Sequence, residues 1–263
     1  MNNFGLVVIG AHNGSGLENE VLKTSKKILF VEPVKYNFSE LQDRYKNLNN
    51  IYFDNSAVSN NNDKLNFFYV KKNSVEKLGK HWATGIGSFS KKHILDHKSK
   101  RFQISDNDID VNEITPLTFD QLMTKYDINI IDKLLIDIEG SEKKIIESID
   151  FKKTLILELT FEYKHLDDTF VFNNSLKIMT KYLSDRNFKE INRDKENITF
   201  KNSQWVFVIF NKYKGYLVNS KASTQEPFVE ALEYSVALPS KKFMCSTPFN
   251  ISSSQVNGFS LTS

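Results

Sequence analysis

The stretch Phe4 to Leu17, Phe-Gly-Leu-Val-Val-Ile-Gly-Ala-His-Asn-Gly-Ser-Gly-Leu, does most to limit what this chain can fold into. Leu6-Val7-Val8-Ile9 is an unbroken, mostly β-branched apolar run, which suits a strand buried on both faces of a parallel sheet. Gly10, Gly14 and Gly16 follow it, and Leu17 to Leu22 opens a helical pattern. Strand, glycine turn and helix together bring backbone N–H groups and a helix N-terminus up to a ligand. A plain βα turn that binds nothing uses the same residues, so the loop needs further support before it marks a site.

Spacing narrows the ligand. Gly10, Gly14 and Gly16 do not make the G-x-G-x-x-G of a dinucleotide site, and Leu17 stands where a P-loop needs Lys. Glu32 closes a second apolar strand, Ile28-Leu29-Phe30-Val31, about where an acid would accept hydrogen bonds from ribose hydroxyls. A nucleoside without a pyrophosphate in the loop is the ligand these residues predict.

With 263 residues, 40% of them hydrophobic, the chain is long enough for one large domain, or one domain with an appendage, around a sizeable core. A net charge of +3 implies no strong field for nucleic acid. The single Cys245 excludes an internal disulfide and fits a reducing compartment. No apolar run reaches the length of a membrane span, and Met1-Asn2-Asn3 leads straight into a strand rather than a signal sequence. A cytoplasmic protein with no nucleic-acid or membrane partner is expected.

In order along the chain, Tyr36 to Asn47 reads as an amphipathic helix and Ile51 to Asp54 as a third strand, giving βαβαβ and hence a parallel sheet. Leu65 to Val70 is a further strand. Lys71 to Lys100, with Trp82, a Gly85-Ile86-Gly87-Ser88 turn and many Lys, breaks the alternation and reads as a lid or substrate loop. His93 and His97 have i, i+4 spacing, but without a neighbouring Cys or a Glu between them they predict no zinc site. Ile109 to Ile114 resumes as a strand, and Thr118 is the expected N-cap of the next helix. Leu134-Leu135-Ile136-Asp137-Ile138-Glu139-Gly140 delivers two carboxylates and a glycine to a strand end, and Leu155 to Leu159 puts Glu158 at another. In an open α/β sheet, ligands sit beyond the carboxyl ends of the strands, where Glu32, Asp137, Glu139 and Glu158 are all expected. Ser175 to Asn187 is a helix. Phe188 to Asn192 and Gln204 to Phe210 read as strands with Ile198-Thr199-Phe200 between them, which predicts an antiparallel edge hairpin. A domain over residues 1–216 with an insertion at about 71–100 is expected. Residues 217–263, where Phe228 to Val236 is the one credible helix, form an appendage.

Taken together, these residues resemble the FkbM family of S-adenosylmethionine-dependent methyltransferases. The resemblance rests on Val8-Ile9-Gly10-Ala11-His12-Asn13-Gly14, on Val31-Glu32-Pro33, on Ala57-Val58-Ser59, and above all on Ile114-Thr115-Pro116-Leu117-Thr118 leading to Asp137-Ile138-Glu139-Gly140-Ser141-Glu142. It covers about residues 4 to 160. It implies a class I methyltransferase (Rossmann-like) fold, α/β and doubly wound, with S-adenosylmethionine as cofactor and O-methylation of a sugar, glycan or glycosylated metabolite. Gly10, Ala11, His12, Asn13, Gly14, Glu32, Pro33, Asn55, Ser56 and Asp137 are the expected cofactor set. Asp137, Glu139 and His81 are the expected catalytic set, and Trp82, Ser88 and Glu158 the expected acceptor contacts. The carboxylates alone leave room for Mg²⁺ without a motif that demands it. Members normally carry Asp at the position of Val8, which keeps open a non-catalytic nucleoside-binding module. A nicotinamide-dependent oxidoreductase is disfavoured by the glycine spacing.

Overall fold

A computed structural model describes residues 2–78, 81–97, 103–168 and 174–203, with the backbone alone at 81 and 82. The elements run β1 (Asn3–Ile9), α1 (Glu18–Leu22), β2 (Lys27–Val31), α2 (Lys35–Tyr45), β3 (Ile51–Asp54), β4 (Val58–Ser59) and β5 (Leu65–Val70). Next come α3 (Lys72–Leu78), a 3-10 turn at His81–Gly85, β6 (Gly87–Ser88) and α4 (Lys91–Asp96). A second 3-10 turn at Asp106–Asp108 leads to β7 (Ile109–Ile114), β8 (Leu117–Thr118), α5 (Phe119–Lys125), β9 (Ile130–Ile136) and α6 (Glu142–Ser148). The described chain closes with β10 (Leu155–Glu162), α7 (Ser175–Ser184), β11 (Phe188–Arg193) and β12 (Asn197–Asn202).

Seven of these strands form one sheet in the order β11-β12-β10-β9-β1-β2-β3. From β3 to β10 every neighbouring pair is parallel, while β12 runs antiparallel to both β10 and β11. It is the doubly wound, mostly parallel α/β sheet with an antiparallel edge that the sequence implies. Alternation along β1 explains how both faces are covered. Val7 and Ile9 join Phe119 and Leu122 of α5, Ile145 and Ile146 of α6, and Met179 and Leu183 of α7. Leu6 and Val8 join Val21 of α1 and Leu41 and Tyr45 of α2. Each such side chain, fully buried, stabilises the fold by about 1.5–3 kcal/mol. Thr118 caps α5 as expected: its hydroxyl accepts from the Gln121 N–H at 3.2 Å, and the Gln121 side chain accepts from the Thr118 N–H at 2.9 Å.

Three expectations change. β5 and β7 do not extend the main sheet but pair antiparallel with each other in a separate sheet ordered β6-β5-β7. β7 is too polar for burial on both faces, since Asp110 to Glu113 are all exposed. The stretch expected as a lid-like loop carries folded elements, α3, β6 and α4, around an apolar cluster of Val70, Val75, Ala83, Ile86, Ile94, Ile104 and Ile109. The edge hairpin is made by β11 and β12, so Ile198-Thr199-Phe200 is part of a strand rather than a spacer. Gln204 to Phe210, Phe228 to Val236 and the whole appendage at 217–263 lie outside the described residues.

Candidate functional site

At the carboxyl ends of β1, β2 and β9 lies a cavity of about 130 Å³. Gly10, His12, Glu32, Pro33, Ser56, Asp137 and Glu139 line it from the main sheet, and Phe67, Gly85, Gly87 and Phe89 line it from the second sheet and the insertion. The topology dictates this place, because parallel strands deliver their loops to one edge.

Gly10 is where the chain could accept no side chain. Its φ is +86°, and a Cβ there would stand 1.7 Å from the carbonyl oxygen of Asp137. The loop beyond it is held by backbone and side-chain partners. Val31 O accepts from the Gly10 and Ala11 N–H groups at 2.9 and 3.0 Å, and Tyr45 Oη donates to Gly14 O at 2.9 Å. Glu32, 5% exposed, accepts from the His12 N–H through Oε2 and from the Val34 N–H through Oε1, both at 2.8 Å. Burial pushes the Glu32 carboxyl up to about 7 against the pull of those hydrogen bonds. The Asn37 side chain is a further partner of the carboxylate, whose acceptor capacity of about four lone pairs still leaves room for a ligand hydroxyl.

The Asp137–Glu142 turn is built on a carboxylate that sequence reasoning passed over. Fully buried Glu142 accepts from the Ile138 N–H at 2.8 Å and the Gly140 N–H at 3.0 Å, fixing Glu139 and Gly140 in left-handed backbone (φ 55° and 99°). An acid two residues past a glycine, at a helix start, was the available signal. Asp137 opens onto the pocket and is solvent-exposed there. The surrounding protein, and then the charges of Glu139 and Glu162, push its carboxyl upward, a shift that its exposure to solvent tempers. For Glu139, burial opposes the charge, but contacts from His165, His93 and His97 outweigh it and hold the group well below. The two acids are therefore pushed apart, Asp137 towards its protonated form and Glu139 towards its ionised form.

Other expected residues find different work. Asn55 Nδ2 donates to the carbonyls of Glu32 and Pro33, bracing the backbone after β2. The Asn13 side chain reaches Glu40 and the Ser15 N–H, Ala11 sits in the apolar cluster with Val8, and Gly14 packs against Leu41 and Tyr45. Ser88, 2% exposed, donates to the Glu139 carbonyl at 3.1 Å rather than facing the cavity. Glu158 is not at a strand end: β10 continues to Glu162, because Thr160 and Phe161 still pair with β12, and Glu158 meets Lys133 at 3.3 Å within the strand. The side chains of His81 and Trp82 lie outside the described residues.

Four residues from three segments converge beside this turn. His93, His97, Glu139 and His165 place their donor atoms within 4.8 Å of one another. Sequence spacing showed only the His93–His97 pair, and the missing acid comes from the turn after β9, 42 residues beyond His97 in the chain. Burial opposes charge on His165, yet Glu139 and Glu162 raise its pKa to about 9. A second trio, Asp137, Glu142 and Glu162, gives the Mg²⁺ expectation a place, although both Glu142 oxygens already accept from the backbone.

Against known families, the methyltransferase FkbM domain matches residues 9–190. No curated protein matches by sequence. Among solved structures, a fibrillarin/Nop5p complex shares 12% identity at a TM-score of 0.38, over 76% of this chain and 72% of that one. Fibrillarin of Aeropyrum pernix with natively bound S-adenosyl-L-methionine shares 10% at 0.39, over 75% and 66%. TrmK of M. capricolum with S-adenosyl-homocysteine shares 10% at 0.34, over 89% and 88%. Likenesses this distant say nothing about the acceptor.

Proposed function

The chain belongs to the FkbM methyltransferase family, and on that basis we propose that it is an S-adenosylmethionine-dependent O-methyltransferase acting on a hydroxyl of a sugar, glycan or glycosylated metabolite in the cytoplasm. One observation carries the reading: Gly10, Glu32 and Asp137 line one cavity at the carboxyl edge of a parallel sheet. The cavity fits the cofactor's needs. Gly10 leaves the backbone open to close approach, and Glu32 presents a buried carboxylate for ribose hydroxyls. His12 and Ser56 line the cavity and complete the cofactor contacts.

When bound, S-adenosylmethionine supplies a methyl group already activated by its sulfonium. The chain then has to bind, align and deprotonate an acceptor. Alignment can lower the barrier by up to about 7–11 kcal/mol. Asp137, with its carboxyl raised and open to the cavity, takes or orients the acceptor proton. Phe67 and Phe89 wall the cavity and help to exclude water. His81 and Trp82 of the insertion complete the acceptor side in this reading.

Val8 favours a second reading, a nucleoside-binding module without chemistry. Titration calorimetry with S-adenosylmethionine, followed by a screen of sugars and glycans for methylation, separates the two. Binding with methylated product supports the enzyme. Binding with no product from any acceptor supports the module, and no binding overturns both.

A further inference from the structure

We infer that His93, His97, His165 and Glu139 form a binding site for a divalent transition-metal ion, Zn²⁺ foremost, which clamps the insertion onto the ends of the main sheet. The donor atoms converge on one point. His93 Nε2 and His97 Nε2 each lie 3.3 Å from Glu139 Oε2, and His165 Nδ1 lies 3.5 Å from the same oxygen. Arms of about 2.0–2.1 Å to a tetrahedral Zn²⁺ put neighbouring ligand atoms roughly 3.3–3.4 Å apart, so these separations are already those of a filled site. All four donors lie within 4.8 Å of one another. The three imidazoles are mutually tilted by 65–81°, with centroids 4.8–5.3 Å apart, facing a common centre rather than stacking.

The surroundings orient the rings for a metal. His97 Nδ1 is 3.0 Å from the His93 carbonyl, which can only accept, so Nδ1 carries a ring hydrogen and Nε2 is the nitrogen turned towards Glu139. Asp168 Oδ1, 2.8 Å from His93 Nδ1, sets a carboxylate beside that nitrogen. Three imidazoles around one carboxylate oxygen gather at a point that calls for positive charge, and a metal ion supplies it. A carboxylate or carbonyl behind a ligating imidazole is the arrangement metal sites use to fix ring orientation. Gly140 makes it fit, because a Cβ there would stand 3.0 Å from both His93 Nδ1 and the Asp168 backbone. Three nitrogens and one oxygen suit Zn²⁺ rather than Mg²⁺ or Ca²⁺, and four protein ligands leave no open position, which marks a structural ion. The ligands come from α4 and its C-cap, from the turn after β9 and from the segment after β10, so one ion ties three parts of the fold together.

The inference does not depend on methyl transfer and is tested without cofactor. Untagged full-length protein, stripped with a chelator and shown to be folded by circular dichroism, is titrated with Zn²⁺ and separately with Co²⁺, with Mg²⁺ as a control. One Zn²⁺ per chain, a tetrahedral Co²⁺ absorption spectrum and no response to Mg²⁺ are expected. His97→Ala should abolish the stoichiometric binding, and Asp168→Asn, which keeps all four ligands, should weaken it by about 10–100-fold. Folded wild-type protein that binds neither Zn²⁺ nor Co²⁺, as when protons rather than a metal fill the centre, overturns the inference. Unchanged binding in folded His97→Ala does so too. If that variant fails to fold, the wild-type stoichiometry and the Asp168→Asn affinity still decide the matter.

Discussion

At Glu32 a single buried carboxylate serves both the fold and the site, since the oxygens that hold the His12 and Val34 N–H groups also face the cavity. Glu32→Ala should weaken S-adenosylmethionine binding by about 1–3 kcal/mol in calorimetry. The pH dependence follows from the raised pKa of about 7. Ribose hydroxyls donate to the ionised form, so affinity should rise as pH climbs through 7, and Glu32→Gln should flatten that rise. For the cofactor-free protein the sign is opposite: the Glu32 share of stability is present below the ordinary Glu value and is lost as pH rises through about 7. Asp137→Asn should slow methyl transfer by about 10²–10⁴-fold while leaving cofactor affinity nearly unchanged. Gly10, Glu32 and Asp137 were legible because each sits at the end of an apolar run. Asn55 and Ser88 were not, because their side chains turn to backbone carbonyls that no sequence pattern reveals.

The main strands could be read from their apolar runs, and α5 from its capping residues. Thr118→Ala should cost about 0.5–2 kcal/mol in denaturant unfolding, since it removes the hydroxyl that accepts from the Gln121 N–H. The inserted unit was harder to read. Its helices are short, β7 alternates no apolar face, and its cluster draws on residues from Val70 to Ile109. Its 3-10 turn docks on the cofactor side, with His12 Nε2 2.5 Å from Thr84 Oγ1 and Asn37 Nδ2 donating to Thr84 O at 2.7 Å. Hydrogen exchange over residues 71–97 should therefore slow when cofactor and acceptor are both bound. Equal exchange in both states would make the unit a passive wall of the cavity.

For the molecule as a whole, the parallel sheet and the edge that carries the site followed from alternating strands and helices, whereas the strand order and the histidine cluster did not. Its members at 93, 97, 139 and 165 meet only once the chain has folded, and local spacing carries no trace of that. Val8 also changes meaning at this scale. The family's usual acid helps to hold the glycine loop, but here Val31 O, Glu32 and Tyr45 hold it, and Val8 packs with Leu6, Phe30 and Leu41 instead. Among the described residues no helix is long and apolar enough to cross a membrane. The most direct measurement is transfer of an isotopically labelled methyl group from S-adenosylmethionine to a panel of sugars and glycans, with wild-type protein and Asp137→Asn side by side. Label in an O-methyl group of one acceptor, strongly reduced with Asp137→Asn, is the predicted result. Bound cofactor with no labelled product from any acceptor, or equal transfer by the two proteins, would contradict it.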